Sequence, residues 1–228
     1  MMSVEMVSVI SLSLQVSLLS VVLGLPAALL AGWFMARKVF MGKSIIDVII
    51  NIPLVLPPVT AGFLLLLLLG RNSLIGKFFE YVFGSSLSFS KAGAVVASMV
   101  VSFPLLSRGI RTAFEMCDTR FEQLAGTLGW SPVQVFLRVT LPLIRPGIVS
   151  GVVTAFARSL GEFGATMVFA GNLEGQSRTI PLAVYSFFQV PGKENEAWAL
   201  VSVSIGISVV AMVVSNMNDR RLNALRSK

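Results

Sequence analysis

MVSVISLSLQVSLLSVVLGLPAALLAGWFMA, residues 6–36, runs from Glu5 to Arg37 without a charged side chain. A helix rises about 1.5 Å per residue and a bilayer's hydrocarbon layer is about 30 Å thick, so about 20 apolar residues cross it. The run fits one tilted spanning helix, with an interruption expected at Gly24-Leu25-Pro26, and is too short for two. The composition agrees. Of 228 residues 55% are apolar and 13% charged, against about 45–50% and about 25% in soluble domains, and the mean hydropathy is +0.84. No histidine is present, which removes His triads, His bases and His metal ligands; Cys117, the single cysteine, leaves no disulfide framework and no Cys-based metal cluster.

Four more spans follow outward from this run. Residues 48–70 are uncharged and end in the leucines 64–69; residues 92–107 form a shorter run whose flanking Lys91 and Arg108 can snorkel to the interfaces. Residues 197–218 complete the apolar runs. The segment 144–170 is apolar except for Arg158 and Glu162 at its middle, where a charge costs about 2.5–3.5 kcal/mol to insert. The expected architecture is all-α and integral to the membrane, one domain over residues 1–228, with five spans at about 8–36, 46–70, 91–110, 144–170 and 197–218. Thr179 to Pro191 and Phe78 to Phe89 are too short to span and are expected to be re-entrant or interfacial.

The net charge of +7 resolves into a topology. Twelve basic residues fall on one side: Arg37, Lys38 and Lys43; Arg108, Arg111, Arg120, Arg138 and Arg145; and the tail's Arg220, Arg221, Arg226 and Lys228. The other side holds five: Arg71, Lys77, Lys91, Arg178 and Lys193. Positive residues favour the cytoplasm, so the N-terminus is expected outside and the C-terminus inside a cell's inner membrane, with basic loops touching anionic lipid headgroups. No cleaved signal is expected. The basic residues are split among separate loops without a recognition helix, which argues against nucleic acid.

The longest polar segment, 108–145, has helical character. In TRFEQLAGTLG, residues 119–129, Phe121, Leu124, Ala125 and Leu128 share one helical face. Gly129 ends it, and Ser131-Pro132 supplies the cap and first position of a second helix. Two short helices at an angle on the cytoplasmic surface are expected, a shape that suits a peg in another protein's groove.

This loop resembles the EAA motif of binding-protein-dependent ABC importer permeases: E-A-A, three residues, G, nine residues, I, one residue, L-P. The matching positions are Gln123, Leu124 and Ala125, then Gly129, then Val139, Leu141 and Pro142. Gln123 replaces Glu, with Glu122 one place earlier; Leu124 replaces Ala and Val139 replaces Ile. The resemblance implies a type I importer permease fold and a coupling helix within 120–134 that docks on a separate ATPase.

Within the fourth span, Arg158 and Glu162 are four apart and can pair on one helix face. Gly161 and Gly164 would thin that helix for a close neighbour. The pair reads either as a structural lock or as part of a gate, with Ser159 beside it. FARSLGEFGAT, residues 156–166, resembles the signature of permeases for tetrahedral oxyanions. Asn51 to Val59, Ser177 to Pro181, Ala183 to Tyr185 and Pro191-Gly192 are similar to the molybdate branch. Pro57 and Pro58 interrupt the second span, which suits either a path-lining helix or a kinked packing helix.

Gly42-Lys43-Ser44 ends like a phosphate-binding loop, but Arg37 stands where its first glycine belongs. The chain is therefore expected to bind no cofactor and no metal, to have no catalytic residue, and to draw on ATP and Mg at a partner. The family resemblance implies a homodimer with two ATPase subunits and an extracytoplasmic oxyanion-binding protein, importing molybdate by alternating access. Tungstate, sulfate and thiosulfate are the alternative cargoes. An autonomous secondary anion transporter or channel is the rival of another class, and it would call for inverted repeats or intramembrane proton carriers.

Overall fold

The computed structural model describes residues 4–226, and the side chains of 4–214. The tail cations Arg220, Arg221, Arg226 and Lys228 lie outside the described side chains, as does the end of the expected last span. Among the described residues every regular element is helical.

The first charge-free run forms α1, Val4–Arg37, and it continues unbroken through Pro26. The expected interruption at Gly24-Leu25-Pro26 is absent because a neighbour holds the helix there. Small residues on its buried face, among them Ser17, Gly24, Ala28 and Gly32, admit α5, Lys91–Met116, over much of its length. A Cβ on Gly32 would fall 2.8 Å from Cγ2 of Ile110. In lipid, where apolar contact has no solvent penalty to relieve, such close backbone approach is what associates helices.

The second run does not form one helix. It makes α2, Lys43–Val55, and α3, Pro58–Leu69, bent 113° from each other. Pro57 drives Leu56 into an extended conformation, with φ −64° and ψ 140°, and neither Pro57 nor Pro58 can donate to the helical ladder. The expected span over 46–70 is thus two short helices meeting at a corner.

A short exposed helix, α4 (Leu74–Phe83), leads to α5, and α6, Thr119–Thr127, follows α5. The expected second short helix of the loop is instead the start of a long one. Pro132–Val135 (α7) passes through a π turn, Phe136–Thr140, directly into α8, Leu141–Leu160. The turn widens where Leu141 N–H reaches back to Phe136 O. It lies immediately before Pro142, whose ring would otherwise press on the carbonyl four residues back.

At its other end α8 stops at Leu160, and α9, Gly164–Phe169, starts after a three-residue break. The segment 144–170 is therefore not one continuous span: it breaks after Leu160. Residues 180–188 form α10, whose Ile180, Ala183 and Phe187 pack with Met6, Val9, Ala197 and Leu200, while Tyr185 and Phe188 stay exposed. The last helix is α11, Glu194–Arg226. By length and apolarity α1, α5, the continuous stretch 132–160 and α11 can each cross a membrane; the α2–α3 pair makes a fifth if it counts as one span.

The centre of the bundle is α1, α5 and α8, packed through Val21, Ala28, Leu106, Ile110, Ile144 and Ala155. A layer of ion pairs closes each end. At one, Arg37 meets Glu122 at 2.8 Å and Arg111 meets Asp47 at 2.9 Å. At the other, Glu5 meets Arg178 at 3.2 Å and Lys193 at 3.5 Å.

The α5–α8 crossing depends on Gly109, where a Cβ would fall 2.8 Å from the Cα of Gly151. Gly109→Val is expected to cost about 1–3 kcal/mol through overpacking and to lower the Tm of the detergent-solubilised protein. Gly206→Ala, on a helix face with nothing within 4 Å of the new methyl, should leave Tm unchanged or slightly raised. Equal effects of the two would show that the crossing does not depend on Gly109.

Candidate docking elbow and path-lining crossing

Two features stand out, one at the Arg37–Glu122 end and one within the bundle. The first is an elbow. Asp118 caps α6 by accepting from Arg120 N–H at 2.9 Å. Gly129 then turns the chain with φ +83°, a left-handed value that a side chain strains, although no atom would crowd a Cβ there. Ser131 and Gln134 close a reciprocal cap: Gln134 Oε1 accepts from Ser131 N–H at 2.9 Å, and Ser131 Oγ accepts from Gln134 N–H at 3.4 Å.

The four residues expected on one apolar face divide. Ala125 turns into the protein, whereas Phe121, Leu124 and Leu128 are exposed, Leu128 to 76%. Val133 and Leu137, past the corner, are exposed too. The elbow thus offers apolar side chains outward on a rigid, capped turn, and Arg138 lies over the ring of Trp130 at 5.6 Å. Gln123 is exposed, while Glu122 is turned inward to Arg37 and Thr140. Val139, Leu141 and Pro142 belong to the π turn and the first turn of α8, not to the tip of the elbow.

The second feature is a crossing of two broken helices. The α2–α3 corner packs on the α8–α9 break: a Cβ on Gly164 would lie 2.8 Å from Cβ of Pro58, and one on Gly62 would lie 2.7 Å from the carbonyl oxygen of Ala165. Gly164 permits close approach as expected. Gly161 does not have that role, because a Cβ there would meet nothing nearer than 3.8 Å; it ends α8. Pro57 and Pro58 remain exposed, although the Cβ of Pro58 borders Gly164.

Arg158 and Glu162 do pair, at 2.7 Å. They do not share a helix face, since Glu162 lies beyond the last turn of α8. Its side chain is 1% exposed, that of Arg158 30%. Glu162 Oε1 accepts from Ala165 N–H at 2.8 Å, so the carboxylate also satisfies a backbone donor at the start of α9. Ser159 Oγ bonds Ser20 Oγ of α1 at 2.8 Å, tying the end of α8 to the central helix. Among the described residues no cluster of Cys, Asp or Glu could hold a metal ion.

The sequence reading missed two partners here. Nothing in the sequence pairs Arg37 with Glu122 or marks Thr140; a basic residue closing an apolar run 85 positions before an acidic one gives no local sign of contact.

A helical bundle with broken spans within it and a capped elbow at one end is the architecture of a membrane permease. The model of binding-protein-dependent transport system inner membrane components matches residues 24–224, and the chain belongs to that family. It is 48% identical over 216 residues to the molybdenum transport system permease protein ModB of Haemophilus influenzae, covering 95% of this chain and 94% of that one. With the Escherichia coli K12 protein of the same name it shares 47% over 204 residues, 90% and 89% of the two chains. Among solved structures, a bacterial ABC transporter that imports the acidic polysaccharide alginate superposes with a TM-score of 0.69 at 17% identity, over 97% of this chain and 80% of that chain. At that identity the likeness is one of fold.

Because Glu162 has two partners, exchanging it with Arg158 cannot restore the site: an arginine at 162 cannot accept from Ala165 N–H. Glu162→Gln and Arg158→Gln are each expected to cost about 3–5 kcal/mol, at the lower end because Arg158 is partly exposed. The exchange should accumulate in membranes no better than the weaker single variant. Rescue by the exchange would show that the pair alone matters.

Proposed function

We propose that this chain is the membrane-embedded permease of an ATP-driven molybdate importer. The observation that carries the reading is its near-full-length similarity to two molybdenum permeases. The elbow's outward apolar residues suit a groove in an ATPase subunit. In this scheme Glu122, Gln123, Leu124, Ala125, Gly129, Val139, Leu141 and Pro142 build the coupling region, and Phe121, Leu124 and Leu128 make its contact surface. Two copies of the chain, each engaging one ATPase, enclose the path. An extracytoplasmic protein delivers the anion.

The elbow end faces the cytoplasm, in keeping with the twelve basic residues assigned to that side, and the N-terminus is outside. ATP and Mg are used by the partner; this chain contributes no nucleotide site. ATP binding draws the two elbows together and opens the path outward; release reverses it. Pro57, Pro58, Arg158, Ser159, Gly161, Glu162 and Gly164 form the crossing that lines or gates the path. Arg158, the exposed member of its ion pair, supplies positive potential to a passing dianion, while Glu162 limits how tightly an anion is held.

Proteoliposomes containing this chain, its ATPase and its binding protein are expected to take up molybdate only with ATP, and excess sulfate should compete weakly. Uptake without the ATPase would point to an autonomous transporter, and preferential sulfate uptake would replace the cargo. Gly129→Val should leave membrane insertion intact while reducing coupled uptake severalfold, because a β-branched residue strains the left-handed turn by about 1–2 kcal/mol. Gly129→Asn, which tolerates that conformation, should retain most of the activity.

A further inference from the structure

Glu122 is the acidic residue of the docking loop that faces away from the docking side. Its Oε1 accepts from Arg37 Nη2 at 2.8 Å and from Thr140 Oγ1 at 3.0 Å. The same Arg37 nitrogen donates to the carbonyl of Cys117 at 3.2 Å. One carboxylate oxygen of α6 therefore joins the last residue of α1 to the π turn at the root of α8, and Arg37 in turn donates to the turn entering α6.

The side chains of Arg37 and Glu122 are only 15% and 26% exposed, and Thr140 is buried. Arg37 Nε is also buried, with no acceptor among the described residues. Losing Glu122 would leave a largely desolvated guanidinium without its counter-charge. Apolar packing offers α6 little else, because Ala125 is its one buried residue. A nine-residue helix is not stable alone, so its position on the bundle depends on this clasp.

We propose that Glu122 is a positioning residue for transport: it locks α6 to α1 and to the π turn, so that movement of the elbow is delivered into those two spanning helices. The proposal rests on the docking role of the elbow, but it assigns Glu122 to transmission instead of to contact with the ATPase. The π turn is the yielding element, since its wider hydrogen-bonding pattern is the irregular point in the stretch 132–160.

Cys117 supplies a native reporter. It is 8% exposed, burial pushes its thiol above the ordinary range, and Arg37 holds its carbonyl. In membranes holding the full chain with its ATPase, Glu122→Gln is expected to raise the rate of Cys117 modification by a small maleimide about tenfold. The ATPase should still copurify, while molybdate moved per ATP falls about tenfold. Thr140→Val, which keeps the ion pair, should shift both readouts less. The double variant should be no worse than Glu122→Gln, because Thr140 acts through the same oxygen.

Unchanged Cys117 protection and unchanged stoichiometry in Glu122→Gln would overturn the proposal. So would loss of the ATPase with Cys117 still protected, which would make Glu122 a docking group. If Glu122→Gln fails to accumulate, Thr140→Val decides by the same two readouts. If the wild-type chain retains no ATPase, the docking reading itself fails, and Cys117 protection still reports separately whether the clasp exists.

Discussion

A backbone interrupted within lipid must find its hydrogen-bond partners inside the protein, and this constraint governs the bundle. The helices are broken at Leu56–Pro57 and at Gly161–Phe163, and the two breaks pack on each other through Pro58, Gly62, Gly164 and Ala165. Glu162 completes the arrangement by accepting from Ala165 N–H while paired with Arg158. A charge that is costly in an apolar span becomes tolerable because it serves a backbone donor and a cation together. Irregular backbone and charge thus occur at one place.

The rest of the bundle is built to hold that crossing. Ser159, three residues before Glu162, bonds Ser20 of α1, and α1 in turn packs along α5 through its small residues. At the far end of α8 the π turn accommodates Pro142 and carries Thr140 to Glu122. The elbow and the crossing therefore sit at opposite ends of one helix. Movement of the first has a direct mechanical route to the second.

Much of this was legible in the residues. The charge-free runs 6–36, 92–107 and 197–218 mark helices long enough to span, and Ser131-Pro132 marks the cap, since both depend on local chemistry. Other expectations changed for reasons that are not local. Gly24-Leu25-Pro26 does not interrupt α1, because α5 holds it along that length. The second helix of the loop is continuous with α8, because a π turn absorbs the strain of Pro142. Arg158 and Glu162 pair around a helix end, because the chain breaks at Gly161 to meet the α2–α3 corner.

The sequence by itself determined that the chain is integral to a membrane and that its polar loop carries a capped glycine turn; these follow from residue-to-residue periodicity and transfer energetics. Tertiary structure decided which way each face points. Ala125 turns in while Phe121, Leu124 and Leu128 turn out, and Glu122 rather than Gln123 reaches Arg37. One helical position amounts to a rotation of about 100°. Only the placement of α6 against α1 and the π turn determines which side of that rotation faces the protein and which is left for a partner.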